Sequence, residues 1–169
     1  MEELRRVLRW IDTSSQWQAN VFAAACLTLI GITLADIIGR QFGQYTTQLF
    51  DIEWFHLAFL LMVGLGYSLL IGSYVRVDLL SNRYSPWAQH LLKFLGFSLL
   101  GIPITVLFAI YAWDFAMTSW AMKELTMSAA KIPVYPIKLF IFAGFVLSLP
   151  QLTAEVIRHF YFIIKKEEL

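Results

Sequence analysis

Ionisable side chains along this sequence leave four long stretches without a single Asp, Glu, Lys or Arg. They are residues 13–35 between Asp12 and Asp36, 54–75 between Glu53 and Arg76, 94–113 between Lys93 and Asp114, and 139–154 between Lys138 and Glu155. A helix crosses a hydrocarbon core of roughly 30 Å with about 20 apolar residues, so the pattern predicts four transmembrane helices. The last stretch is short, but the apolar run 132–137 precedes Lys138, whose long stem can reach back to the interface. That helix can still span, tilted or bent at Pro150. The expected spans are approximately 13–39, 53–75, 86–117 and 135–157, in one all-α membrane domain over residues 1–169. The loops between them are too short for a separate domain.

Polar positions outside the spans predict smaller features. Leu4, Val7, Leu8 and Ile11 recur at i, i+3, i+4 and i+7, with Glu3, Arg5, Arg6 and Arg9 between them. Residues 2–12 therefore read as an amphipathic interfacial helix, its arginines drawn to anionic membrane lipids. Ser85 before Pro86 is a good helix start, because serine caps free N–H groups and proline fits the first turn. Pro133 and Pro136 predict an extended or turned approach to the last helix. Small residues recur every four positions, as Gly31, Ala35 and Gly39 on the first helix and Gly64, Ser68 and Gly72 on the second. Such rows allow close helix packing in lipid, with a partner inside or outside the chain.

Composition supports lipid as the solvent: 59% of residues are hydrophobic and 15% charged, against about 45–50% and 25% in soluble domains. A net charge of +1 with no basic cluster beyond Arg5, Arg6 and Arg9 gives no footprint for nucleic acid. Cys26 is the only cysteine, so no intramolecular disulfide and no cysteine-rich metal site is expected. The first apolar stretch has membrane length and lacks a terminal cleavage site, so it reads as an anchor rather than a signal peptide. Arg5, Arg6, Arg9, Arg76, Arg83, Lys93, Arg158, Lys165 and Lys166 fall on one side of a four-span topology. Arg40, Lys123, Lys131 and Lys138 fall on the other, which places both termini in the cytoplasm.

Candidate chemistry is sparse. His56 lies near the opposite surface from His90 and His159, which does not suit a haem held within the chain, and no phosphate loop, metal-binding helix or nucleophile elbow occurs. No enzyme activity and no cofactor are expected. A proton-coupled exporter would place an ionisable group deep in the bilayer, and the span centres have none. Asp36, Glu53, Asp114 and Lys138 share one edge of the spans, with Arg40 a turn beyond Asp36. They are either boundary charges or a network joining helices or meeting a partner. Within it, Asp36 is expected to pair with Arg40, and Lys138 with an acid on another helix.

The order of these features resembles the small membrane subunit (DctQ family) of tripartite ATP-independent periplasmic, or TRAP, transporters. The resemblance begins with Asp36-Ile37-Ile38-Gly39-Arg40 and Asp51-Ile52-Glu53-Trp54. It continues through Gly64-Leu65-Gly66 into Gly72-Ser73-Tyr74-Val75-Arg76-Val77-Asp78, which looks like the family's His-Val-Arg-Val-Asp segment. Lys131-Ile132-Pro133-Val134-Tyr135-Pro136-Ile137-Lys138, Ala143-Gly144 and Leu149-Pro150-Gln151 resemble its final helix. Tyr74 replaces a frequent histidine and Phe142 a common proline, neither of which alters the topology.

The resemblance implies a complex with a large TRAP membrane subunit, which carries substrate and sodium, and with a periplasmic substrate-binding protein. Arg76 and Asp78 would then be either an inner-face anchor and turn or a docking point for the large subunit. Substrates would be organic acids, such as C4-dicarboxylates or sialic and other sugar acids. The residues by themselves also leave open a small four-helix exporter, a membrane anchor for a redox enzyme and a structural tetraspan protein.

Overall fold

The computed structural model describes residues 2–43, 47–72 and 84–166, and within them the chain is helical with no strands. Helix α1 covers Glu2–Gln41 and α2 covers Thr47–Leu70. Helix α3, Pro86–Gly96, passes through a π-helical turn, Phe97–Gly101, into α4, Ile102–Met122. Helix α5 covers Tyr135–Lys165. With α3 and α4 taken as one rod, four helices are long and apolar enough to cross a membrane.

Helix boundaries follow from local chemistry. The Ser85 side chain accepts a bond from the Ala88 N–H and Pro86 opens α3, as the sequence predicts. Pro103, in the first turn of α4, has no N–H to continue an i→i−4 ladder. The rod adjusts by widening, and the Ile102 N–H reaches back five residues to the Phe97 carbonyl. Lys123 ends α4 in a left-handed conformation. Residues 124–134 then form a turn closed by a bridge between Leu125 and Pro133, and Pro136 begins the next helix. Pro150 lies inside α5 without ending it.

Residues 2–12 are not set off as an element of their own. They are the first three turns of α1, since no glycine or proline interrupts the chain there. At 40 residues, α1 is about 60 Å long and extends well beyond a hydrocarbon core of roughly 30 Å.

Helix α5 is the hub, packing against α2, α3 and α4 and, more sparingly, α1; α1 packs mainly on α2. Small residues set these approaches. A Cβ on Gly144 would stand 2.5 Å from the Met62 Cβ and 3.0 Å from its Cα, so α5 and α2 meet almost backbone to backbone there. Gly66 receives Gln18, and a Cβ on Gly64 would lie 3.2 Å from the Phe22 ring. Ala109, Ala112, Ala116 and Ser119 form a buried row on α4, the element that packs most extensively on α5. Beyond these contacts little is covered: only 6% of the most apolar window of the α3–α4 rod is buried within the chain. The remaining apolar surface faces lipid or a partner.

Candidate functional site

Polar side chains gather in two layers, one at each end of the bundle. At the first, the buried Lys138 ammonium donates to Glu124 at 2.5 Å and lies 3.7 Å from the centre of the Phe115 ring. Glu124 sits in the turn after α4, and its carboxyl is held below the ordinary glutamate range, chiefly by the bond from Lys138. Asp51, near the start of α2, accepts bonds from the Thr126 hydroxyl at 2.9 Å and from Ser128. The Thr126 hydroxyl in turn accepts from the Ile132 N–H, so one buried carboxylate pins the 124–134 turn onto α2. On α1, Asp36 is 3% exposed and pairs with Arg40 at 2.5 Å, four residues on.

This layer is not the single ring of Asp36, Arg40, Glu53, Asp114 and Lys138 that shared depth suggests. The Asp36–Arg40 pair is present, and Lys138 is paired, but with Glu124 of the turn rather than with an acid on another helix. Asp114 is exposed and makes no ion pair among the described residues, because Ala112 and Ala116 turn the opposite face of α4 inward. Glu53 is half-buried on α2, with one carboxylate oxygen enclosed. Asp51 and Glu124 are the groups that depth alone does not reveal: both act on a loop whose course the sequence leaves open.

At the other end, Arg158 of α5 holds Asp12 of α1 at 2.5 and 2.6 Å and Glu155 at 2.5 Å. Glu155 also accepts from the Gln151 amide at 3.3 Å, and the Ser15 hydroxyl donates to the Gln151 carbonyl oxygen at 2.9 Å. His159 places its Nδ1 3.1 Å from that of His90 on α3, and His90 stacks on Phe162. One polar face of α5 therefore links α1 to α3. A signal for it was available: Gln151, Glu155, Arg158 and His159 recur at i, i+4, i+7 and i+8 in an otherwise apolar helix.

Between the layers, His56 of α2 places its Nε2 2.9 Å from both the Thr28 hydroxyl and the Ala25 carbonyl of α1. Of the small-residue rows, Gly64 packs against Phe22, and Ser68 turns its hydroxyl to the Leu65 carbonyl. Gly72 is not a packing residue: its φ of +63° ends the turn after α2, a conformation glycine adopts without a steric penalty. Gly31 and Ala35 are exposed, and nothing lies within 4 Å of a Cβ placed on Gly31. Gly39 is half-buried near the end of α1. Any partner for the exposed part of that row lies outside the described residues, as do Arg76 and Asp78 themselves.

Internal pairing at both ends, an apolar exterior and four membrane-length helices define an all-helical, multi-pass membrane protein. Residues 29–161 match the family described as tripartite ATP-independent periplasmic transporters, DctQ component. The chain belongs to that family. It is thus a small membrane component of a TRAP transporter and not an enzyme; in TRAP systems such components work with a large membrane subunit and a binding protein. Neither the curated proteins nor the solved structures contain a match to the chain.

Proposed function

We propose that this chain is the non-transporting membrane subunit of its TRAP system, bracing the fixed scaffold of a large, sodium-coupled elevator subunit in the bacterial inner membrane. Both termini lie in the cytoplasm in this reading. The periplasmic binding protein delivers organic acids, such as C4-dicarboxylates or sialic and other sugar acids, and the large subunit carries them with sodium. The small subunit needs no cofactor for this task.

The observation that carries the reading is the contrast between a tied interior and a bare exterior. Polar groups at the helix ends are largely committed to one another, which favours a fixed body. Leu27, Ile30, Leu34 and Ile38 are each more than half exposed on α1, interleaved with the exposed Gly31 and Ala35. A face of large and small apolar residues suits close packing against another membrane helix.

Coexpression with a tagged large subunit of the same system tests this. The chain should copurify stoichiometrically, and Gly31→Leu with Ala35→Leu should reduce recovery by filling the row. Purification of the large subunit free of this chain in mild detergent would contradict the proposal.

A further inference from the structure

The Arg158 end of the bundle holds an open cleft of about 590 Å³, lined by Arg5, Arg6, Arg9, Glu2 and Asp12 of α1 and by Arg158 of α5. That is within the range of roughly 300–1,000 Å³ typical of small-molecule sites. Its four guanidinium groups are not equivalent. Arg158 is engaged by Asp12 and Glu155, and Arg6 lies 3.5 Å from Glu3. Arg5 and Arg9 make no ion pair with a described residue, although they stand four apart on one face of α1, where like charges repel. Of the carboxylates lining the cleft, Asp12 is held by Arg158 and Glu2 makes no ion pair with a described residue. The cleft therefore presents two unpaired cations against one unpaired anion, a positive excess, to whatever fills it.

Guanidinium groups bind carboxylate or phosphate oxygens through paired, charge-assisted hydrogen bonds, and the anion that a membrane surface supplies in quantity is a phosphate ester. Its source follows from the flank of the same helix. Trp10 and Trp17, two turns apart, are 76% and 66% exposed, and indole rings of membrane proteins collect at headgroup level. Basic pockets between membrane helices at that level suit anionic headgroups. We propose that the cleft binds the phosphodiester headgroup of one anionic phospholipid, held by Arg5 and Arg9, and that this lipid joins the first turns of α1 to α5. The inference requires only that the chain sits in a bilayer, and it stands or falls separately from the transporter partners.

Native mass spectrometry of the full chain in mild detergent, with equal phosphatidylglycerol and phosphatidylcholine, tests it. One phosphatidylglycerol per chain should be retained with a preference of about tenfold or more, as two basic residues near a lipid phosphate allow. Arg5→Gln with Arg9→Gln should abolish that preference, whereas Lys165→Gln with Lys166→Gln, which removes two charges from the same end, should preserve it. Equal retention of both lipids, an unchanged preference in the arginine variant, or equal loss in the lysine variant would overturn the proposal. So would displacement of the lipid by soluble glycerol phosphate at matching concentration, since the site would then recognise a free phosphate ester.

Discussion

The Ser15 hydroxyl donates to the Gln151 side-chain carbonyl at 2.9 Å, and the two residues, on α1 and α5, are 2% and 0% exposed. A buried amide on a membrane helix is costly unless its groups are satisfied, and here the other end of Gln151 reaches Glu155. The bond thus connects α1 to the Arg158 ion pairs.

Ser15→Ala should lower stability by about 0.5–2 kcal/mol, the range for interhelical hydrogen bonds in membranes and for an orphaned buried acceptor. Adding Gln151→Leu should restore part of the loss, because both partners of the bond are then gone. Thermal unfolding of the single and double variants in detergent checks the sign of this coupling; fully additive losses would show that the bond does not link the helices energetically.

The glycines should separate by what a methyl group would meet. Gly144→Ala drives a Cβ to 2.5 Å from Met62 and against its backbone, so it should cost about 1–3 kcal/mol and loosen α2 from α5. Gly66→Ala meets only the flexible end of Gln18 and should cost less. Gly31→Ala meets nothing within the chain and should leave the isolated subunit unchanged. Unfolding midpoints of the three variants, compared under one detergent condition, check the order.

The Glu124–Lys138 pair should be asymmetric. Glu124→Gln leaves a buried ammonium with a neutral amide and the Phe115 ring in place of its counter-charge, whereas Lys138→Met leaves an exposed carboxylate that water can solvate, so the first should destabilise more. The Glu124 carboxyl is lowered in the folded chain, so its stabilising contribution is present at neutral pH and lost as pH falls through the folded-state value. The gap in melting temperature between wild type and Glu124→Gln should therefore be widest near neutrality and close in acid. A gap independent of pH would mean that the glutamine acts through packing.

The four spans were legible because hydrocarbon excludes charge, and the absence of ionisable residues from long stretches is a one-dimensional signal. Ser85 and Pro86 were legible for a similar reason, since a cap acts within one helical turn. An expected depth is not an azimuth. Asp114 and Lys138 share a level, yet one faces outward and the other inward, and only the packing of α4 on α5 decides which. Lys138 finds Glu124 because the 124–134 turn folds back, and that turn is fixed by Asp51, distant in sequence. Asp12 finds Arg158 for a comparable reason, since that partner lies on another helix, 146 residues away.

In the proposed function this chain supports transport without performing it. Uptake of a radiolabelled organic acid into proteoliposomes, driven by an inward sodium gradient, tests it most directly when the large subunit and binding protein of the same system are added in turn. Liposomes containing this chain alone should take up nothing, the complete set should transport, and omission of this chain should sharply reduce the rate. Uptake by this chain alone, or full activity of the other two components without it, would contradict the account.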